Sequence, residues 1–434
     1  MYKASAGGGA ATRCTVYRHA LVRVVSPLLA SPAIGKGWSD FALVLAATLM
    51  SWDPAPTLAQ RFEAVLAVLD AALPRRRRTG RTYQGFIKAF TPRSDALLGR
   101  LVPHLRTLSE RAAGACWRIG EFIPIGADGT RIDAPRTIGN EPLGFAGRDK
   151  CGPQMMTLLL VHLGVMLPWA WRIGGARDAE RTLLRDLLDE LPRNTLLVAD
   201  AGFTGFDLLG ELCRRRVSFL VRVGRGVRLL SRLGYYRREG RSTVYLWPKG
   251  REDRAPLVLR LIRVGSMYLV TDVTDPRRLS RAAAAELYRR RWGVEVAFRT
   301  LKRTLEHHKM RSGTATHTRA ELAWAIAGLW MLGLLGVRAI AARGHGPRRL
   351  SIASALAAVR HAARDPDARR TSDRPLRRRL GRALLDTYQR HASKTPYRWP
   401  RKKRPAPPAA PRITRATGTQ VRAAQAVARR ATAT

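Results

Sequence analysis

Apolar positions change their spacing several times along the chain, and each change marks a different kind of element. Before residue 115, "WSDFALVLAATLM" and "LAQRFEAVLAVLDAAL" place apolar side chains at i, i+3 and i+4, the spacing of one helical face. A basic turn, "PRRRRTGR" at 74–81, interrupts them. From about 117 to 223 the pattern becomes short apolar runs, "FIPIGADG", "MMTLLLVHLG", "MLPWAWRIG", "TLLVADAGF" and "VSFLVRVG", with helical spacing at 178–191 and 206–215. Strands alternating with helices predict a mixed α/β core. Residues 224–278 alternate less regularly, as in "STVYLWPKG", "LVLRLIRVG" and "MYLVTDV", and predict an antiparallel β insert. From Arg281 onward helical spacing returns. No acid follows Asp386, and the last 48 residues hold twelve Lys or Arg among many Pro and Ala, which predicts a disordered basic tail. The expected organisation is therefore a helical region at 1–115 of the kind that binds DNA, an α/β core at 116–345 with a β-rich insert at about 224–278, and a helical C-terminal region with its tail at 346–434.

Two apolar stretches invite a membrane reading. The run from Leu322 to Val337 has 16 residues without a charge, whereas a spanning helix needs about 20, so a buried core helix is expected. The run from Cys151 to Trp171 contains His162, Gly164 and Pro168 and reads as two buried strands joined by a turn. The N-terminal "MYKASAGGGAATRC" lacks the apolar core of a signal peptide.

Charge narrows the partner. The 434 residues carry 78 Lys and Arg against 32 Asp and Glu, a formal net charge of +46. So much uncompensated charge calls for a polyanion, with nucleic acid first among them. An Ala- and Arg-rich composition also follows from GC-rich coding, which discounts the magnitude of the charge and leaves its sign. Cysteines at 14, 116, 151 and 213 form no C-x-x-C pair, so neither a zinc site nor a disulfide framework is signalled and a reducing cytoplasm fits.

In so acid-poor a chain, three acids stand out. Between Arg281 and about Leu305 there is no Pro and one Gly, so a continuous helix is expected. It would place Tyr288, Arg291, Glu295 and Lys302 within about 60° of one another on one face. Asp128 follows the strand-like "FIPIGA", and Asp200 ends "TLLVAD" before Gly202 and Phe203 turn the chain into a helix. Each has a plain alternative: Arg291 and Glu295 are spaced as an i,i+4 ion pair, and Asp is common in turns. Carboxylates gathered from two strands and a helix would raise one another's pKa, and a divalent cation relieves that repulsion. Trp247 in the insert and Trp292 beside the helix are open either to packing or to stacking on a displaced base.

The blocks "GADGTRIDAPRT", "LLVADAGFTGFDLL" and "YRRRWGVEVAFRTLKR" resemble the DDE transposases of bacterial insertion sequences. The last is similar to the Tyr-x2-Arg-x3-Glu-x6-Lys signature of their cut-and-paste branch, falling on Tyr288, Arg291, Glu295 and Lys302. The resemblance covers roughly residues 75 to 345, and "YRWPRKKRP" is similar to the basic ending of such proteins. It implies a ribonuclease-H-like core with Asp128, Asp200 and Glu295 as catalytic acids and ligands of two Mg2+ or Mn2+ ions. Tyr288, Arg291, Lys302, Trp292 and Trp247 would be the DNA-contacting residues. It further implies cleavage at the element's ends, joining of the 3′-OH to target DNA, a homodimer on double-stranded DNA, and a cytoplasmic, nucleoid-associated location without membrane. One departure is Ala201, where a basic residue often follows the second acid.

Other readings have their own marks. "HKMR" at 308–311 with Tyr388 downstream is similar to a tyrosine recombinase pattern, which a covalent protein–DNA adduct would reveal. A transposase-derived DNA-binding protein would normally have lost an acid, and none of the three is missing. A nuclease of the same fold would share the acids, because fold alone does not set the reaction.

Overall fold

The helical spacing before residue 115 becomes four helices in the computed structural model, which describes residues 24–25, 37–72, 80–146, 152–248, 250–364, 374–386 and 409–433. They are α1 (Asp40–Trp52), α2 (Leu58–Ala72), α3 (Tyr83–Phe90) and α4 (Ser94–Ala113). The chain continues through β1 (Ile123–Asp133), β2 (Gln154–His162), β3 (Leu167–Gly175), α5 (Glu180–Arg185), β4 (Thr195–Ala199), α6 (Phe206–Arg214) and β5 (Ser218–Val223). Four strands follow, β6 (Arg228–Ser231), β7 (Thr243–Leu246), β8 (Leu257–Val264) and β9 (Met267–Thr271). Then come α7 (Arg281–Arg290), α8 (Trp292–Arg299), α9 (Ala315–Ala341), α10 (Ile352–Arg364), α11 (Arg374–Leu380), β10 (Arg412–Arg415) and α12 (Gly418–Ala433). The result is a mixed α/β protein with a large mixed sheet. The basic turn at 74–79, Tyr388 and "YRWPRKKRP" lie outside the described residues.

Two compact units interleave in sequence. One comprises residues 1–117, 129–179 and 294–385, the other 118–128, 180–293 and 386–434. Strand β1 passes from the second into the first between Asp128 and Gly129.

The first unit is built on α9. Its apolar stretch has the length and hydropathy of a membrane span, yet 89% of it is buried within the protein, as the core-helix reading expects. Helices α1 and α4 pack against it. The approach of α1 is close because Gly328 has no side chain: a Cβ there would stand 2.0 Å from Ser51 Oγ, and Trp52 Nε1 donates to Gly328 O at 3.0 Å. Two buried indoles are satisfied across the core, Trp324 Nε1 on Ser94 Oγ and Trp330 Nε1 on Ser109 Oγ, both at 2.9 Å. A buried N–H without an acceptor would cost about 1–3 kcal/mol, so these serines fix how α4 lies on α9. β2 and β3 form the expected antiparallel pair.

In the second unit the strand order is β10-β6-β7-β8-β9-β5-β4-β1. β1, β4 and β5 run parallel. All five residues of β4 are buried, as a parallel strand covered on both faces requires. α6 crosses between β4 and β5 and buries Leu208, Leu209 and Leu212. β6 to β9 form the antiparallel insert, with Gly265 at a φ of 58° in the tight turn between β8 and β9.

Two expectations are corrected. The basic tail is not disordered throughout: β10 pairs in parallel with the edge strand β6, and α12 buries Ala424 among Leu233, Tyr245 and Trp247. Composition hid this because Ala at a contact needs little apolar area to fit a core that aromatic residues already supply. The helix across 281–305 is not continuous either. It divides at Arg291 into α7 and α8 and ends in a wide turn at Thr300–Thr304 with five-residue hydrogen bonding.

Candidate functional site

The site begins with strand register. Ile123, Pro124, Ile125 and Gly126 of β1 pair with Thr195, Leu196, Leu197 and Val198 of β4. Carried two residues further, the same register sets Asp128 opposite Asp200. Neighbouring strands lie about 4.8 Å apart, and positions two residues apart share a face, so both carboxylates leave the same face, Asp200 just past the carboxyl end of β4 and Asp128 midway along the longer β1. β1 is buried through Ala127 and becomes partly exposed at Asp128, so the acid stands where the core opens. Ligand sites of open α/β sheets collect at strand ends such as that of β4.

Each aspartate faces an arginine. Arg291 Nη1 lies 3.7 Å from Asp128 Oδ2, and Arg222 Nη1 lies 3.7 Å from Asp200 Oδ1. Both distances exceed a hydrogen bond, so between these atoms the arginines act on the carboxylates through charge. Asp200 Oδ1 also accepts Ala201 N at 2.6 Å, capping a short turn, and Tyr288 Oη at 3.4 Å. Burial, and next to it the charge of Asp200, raises the Tyr288 phenol above its ordinary pKa and keeps it a neutral donor. The Arg291 guanidinium lies 5.5 Å from the Tyr288 ring centroid.

The remaining expected residues divide as follows. Glu295, on α8, belongs to the other unit, as does Lys302, whose Nζ donates to Thr130 Oγ1 on β1 at 2.7 Å. Arg291 is buried, and its ion pair is with Asp128. Trp292 is 52% exposed. Trp247 is corrected: it is buried in the insert's own core and donates through Nε1 to Arg254 O at 2.9 Å, so it packs and presents no face to a base. For the recombinase pattern, Arg311 Nε donates to Pro56 O at 2.8 Å, and its proposed nucleophile is outside the described residues.

Two participants were missed in the sequence. Arg222 is a lone charge in the apolar alternation of "SFLVRV", and that interruption was its signal. Thr130 had only its place two residues after Asp128.

Among the described residues no three His, Cys, Asp or Glu side chains are gathered as a metal cluster. The aspartate pair nonetheless fits a hard divalent cation: the donors are carboxylate oxygens at one level of adjacent strands, and both are partly exposed.

An α/β unit with paired carboxylates on adjacent parallel strands is the class that fold and site define. Residues 125–332, a little under half of the chain, match the family described as the transposase DDE domain. The chain is 24% identical over 179 residues to the transposase InsG of insertion sequence element IS4 from Escherichia coli (strain K12), across 38% of this chain and 40% of that relative. It thus spans well under half the length of the curated relative it matches. Among solved structures it is similar to the piggyBac transposase in a synaptic complex with hairpin DNA, with a TM-score of 0.41 and 11% identity over 87% of this chain and 88% of that one.

Proposed function

We propose that the protein is a DDE transposase of the cut-and-paste branch with the Tyr-Arg-Glu-Lys signature. It binds the ends of an insertion sequence, hydrolyses a phosphodiester there and joins the freed 3′-OH to target DNA. The observation that carries the reading is the register that brings Asp128 level with Asp200, within the residues that match the DDE domain. The core is read as ribonuclease-H-like, residues 1–115 as the part that recognises the element's ends, and the assembly on DNA as a homodimer.

In this reading Asp128, Asp200 and Glu295 hold Mg2+ or Mn2+, which when bound supplies Lewis acidity at the scissile phosphate. The chain's own groups do the rest. Arg291 and Arg222 set a positive charge beside each of the two adjacent carboxylates. Tyr288 orients Asp200 through its hydroxyl. Lys302, held by Thr130 beside the strand that carries Asp128, is placed to position a backbone phosphate, as is the exposed Trp292 to meet a base.

The test is cleavage of a plasmid carrying the DNA that flanks the gene, with Mn2+ added. Asp200→Asn and Glu295→Gln should each lose cutting and keep gel-shift binding to that DNA. Cutting by either purified variant at the wild-type rate would remove that acid from the site.

A further inference from the structure

A cavity in the first unit combines features that the aspartate site does not use. Its floor, of about 50 Å³, is lined by Arg61, His307, Phe86 and Trp324 among others. It shares Leu58, Tyr83, Ile87, Ser312 and His317 with an outer cleft of about 480 Å³. The floor has room for a few polar atoms, and the cleft is of the size that takes a small organic ligand.

Two fully buried polar groups at the floor lack a protein partner. Arg61 is 1% exposed; its Nε donates to Ala55 O at 2.8 Å and its Nη1 to Met50 O at 3.4 Å, but Nη2 has no acceptor. His307 is 2% exposed, and Nε2 lies 3.1 Å from Ser51 O. A carbonyl only accepts, so Nε2 carries the proton and Nδ1, which has no partner, is a bare acceptor. Burial, reinforced by the nearby arginines, lowers the His307 pKa to about 3 and keeps the ring neutral. Glu321 does not supply the missing partner; its carboxylate accepts Arg311 N and Ser312 N at 2.8–3.1 Å. The floor therefore offers one donor and one acceptor between aromatic walls.

The mouth offers positive charge. The first residues of the fifteen-residue helix α2, Leu58 and Ala59, line the cleft with no acid in the first turn. Arg311 is held beside them by its bond to Pro56 O. A helix start with an arginine beside it suits a phosphate.

We propose that this cavity binds a nucleotide, with the edge of its base on Arg61 and His307 and its phosphate at Arg311 and the start of α2. Every nucleobase carries a donor next to an acceptor on its pairing edge, so the floor selects the class and not one base. The source is either a free nucleoside monophosphate or a nucleotide unit of a DNA strand.

The test uses the full chain in a calorimetric titration with the four deoxynucleoside monophosphates, with a deoxynucleoside, with inorganic phosphate and with a short single-stranded oligonucleotide. Ala59→Trp fills the cleft from an exposed helix position and should weaken binding at least about tenfold without changing the thermal melt. Arg311→Gln should weaken the monophosphate and leave the nucleoside unchanged. Binding of monophosphates that Ala59→Trp blocks supports the site with a free nucleotide as source; blocked binding of the oligonucleotide alone supports it with a DNA strand as source. Binding of no probe, of inorganic phosphate only, or binding that Ala59→Trp leaves intact overturns it. Arg61→Met is the second variant, and its melt shows whether lost binding is lost folding.

Discussion

The parallel strands and the antiparallel insert of one unit solve the same burial problem in different ways. β4 is buried along its whole length, and β1 from Ile123 to Ala127; those side chains have no freedom to face water, so polar chemistry is confined to the positions where the burial stops. The insert strand β8 alternates between buried and half-exposed positions and relies on its own cluster of Leu233, Tyr245, Trp247 and Ala424. Chemistry can therefore be removed from the first region without unfolding it. The second can be unfolded without touching an aspartate.

The largest effect should come from the aspartates where that burial stops. Asp128→Asn and Asp200→Asn are each expected to lower cleavage at least about a thousandfold. They should differ in stability, because Asp128 faces the buried Arg291 while Asp200 faces the more exposed Arg222. Loss of the partner of a buried charge is the costlier change, so thermal melts should place Asp128→Asn below Asp200→Asn, and equal melts would show that Arg291 is balanced elsewhere. Next in size, Trp247→Ala should cost about 3–5 kcal/mol in urea unfolding through a core cavity. The same variant should still cut under conditions where it is folded.

A smaller, graded effect concerns pH. Burial lowers His162 to about 4 and His307 to about 3, below the ordinary 6.5. The unfolded chain then takes up protons first as pH falls, so the stability from these rings is whole above about 6.5 and is lost as pH drops toward their folded values. The slope should reach about 1.4 kcal/mol per pH unit for each histidine, and melts from neutral to acid pH would measure it. The smallest effect is at Lys302→Ala, which removes one hydrogen bond to Thr130. It should cost about 0.5–1.5 kcal/mol and flatten the salt dependence of DNA binding by about one unit of slope; an unchanged slope would make Lys302 a strut.

What the sequence made legible follows the same division. Short apolar runs ending in Asp revealed β1 and β4 and both aspartates, because a strand buried on two faces has one readable signature. The uncharged run Leu322–Val337 within α9 was legible as core because its 16 residues fall short of the about 20 a span needs. The break at Arg291 was not, since no Pro marks it and a single nearby Gly293 is compatible with a helix that continues. Nor was the contact of Arg291 with Asp128, which lies far away in the sequence. Arg61 and His307 were silent because a buried donor and acceptor leave no periodic trace.

The pairing of β10 with β6 joins residues as far apart as Ser231 and Thr414, 183 positions along the chain. At a synthesis rate of about 5–20 residues per second, the edge of β6 stands open for roughly ten to forty seconds after it is made. During that interval its unpaired backbone is a template for any other extended segment, including the same strand on a neighbouring nascent chain. The rate of translation through the roughly two fifths of the message between these strands thus bears on how much of the protein matures alone and how much is lost to its own copies.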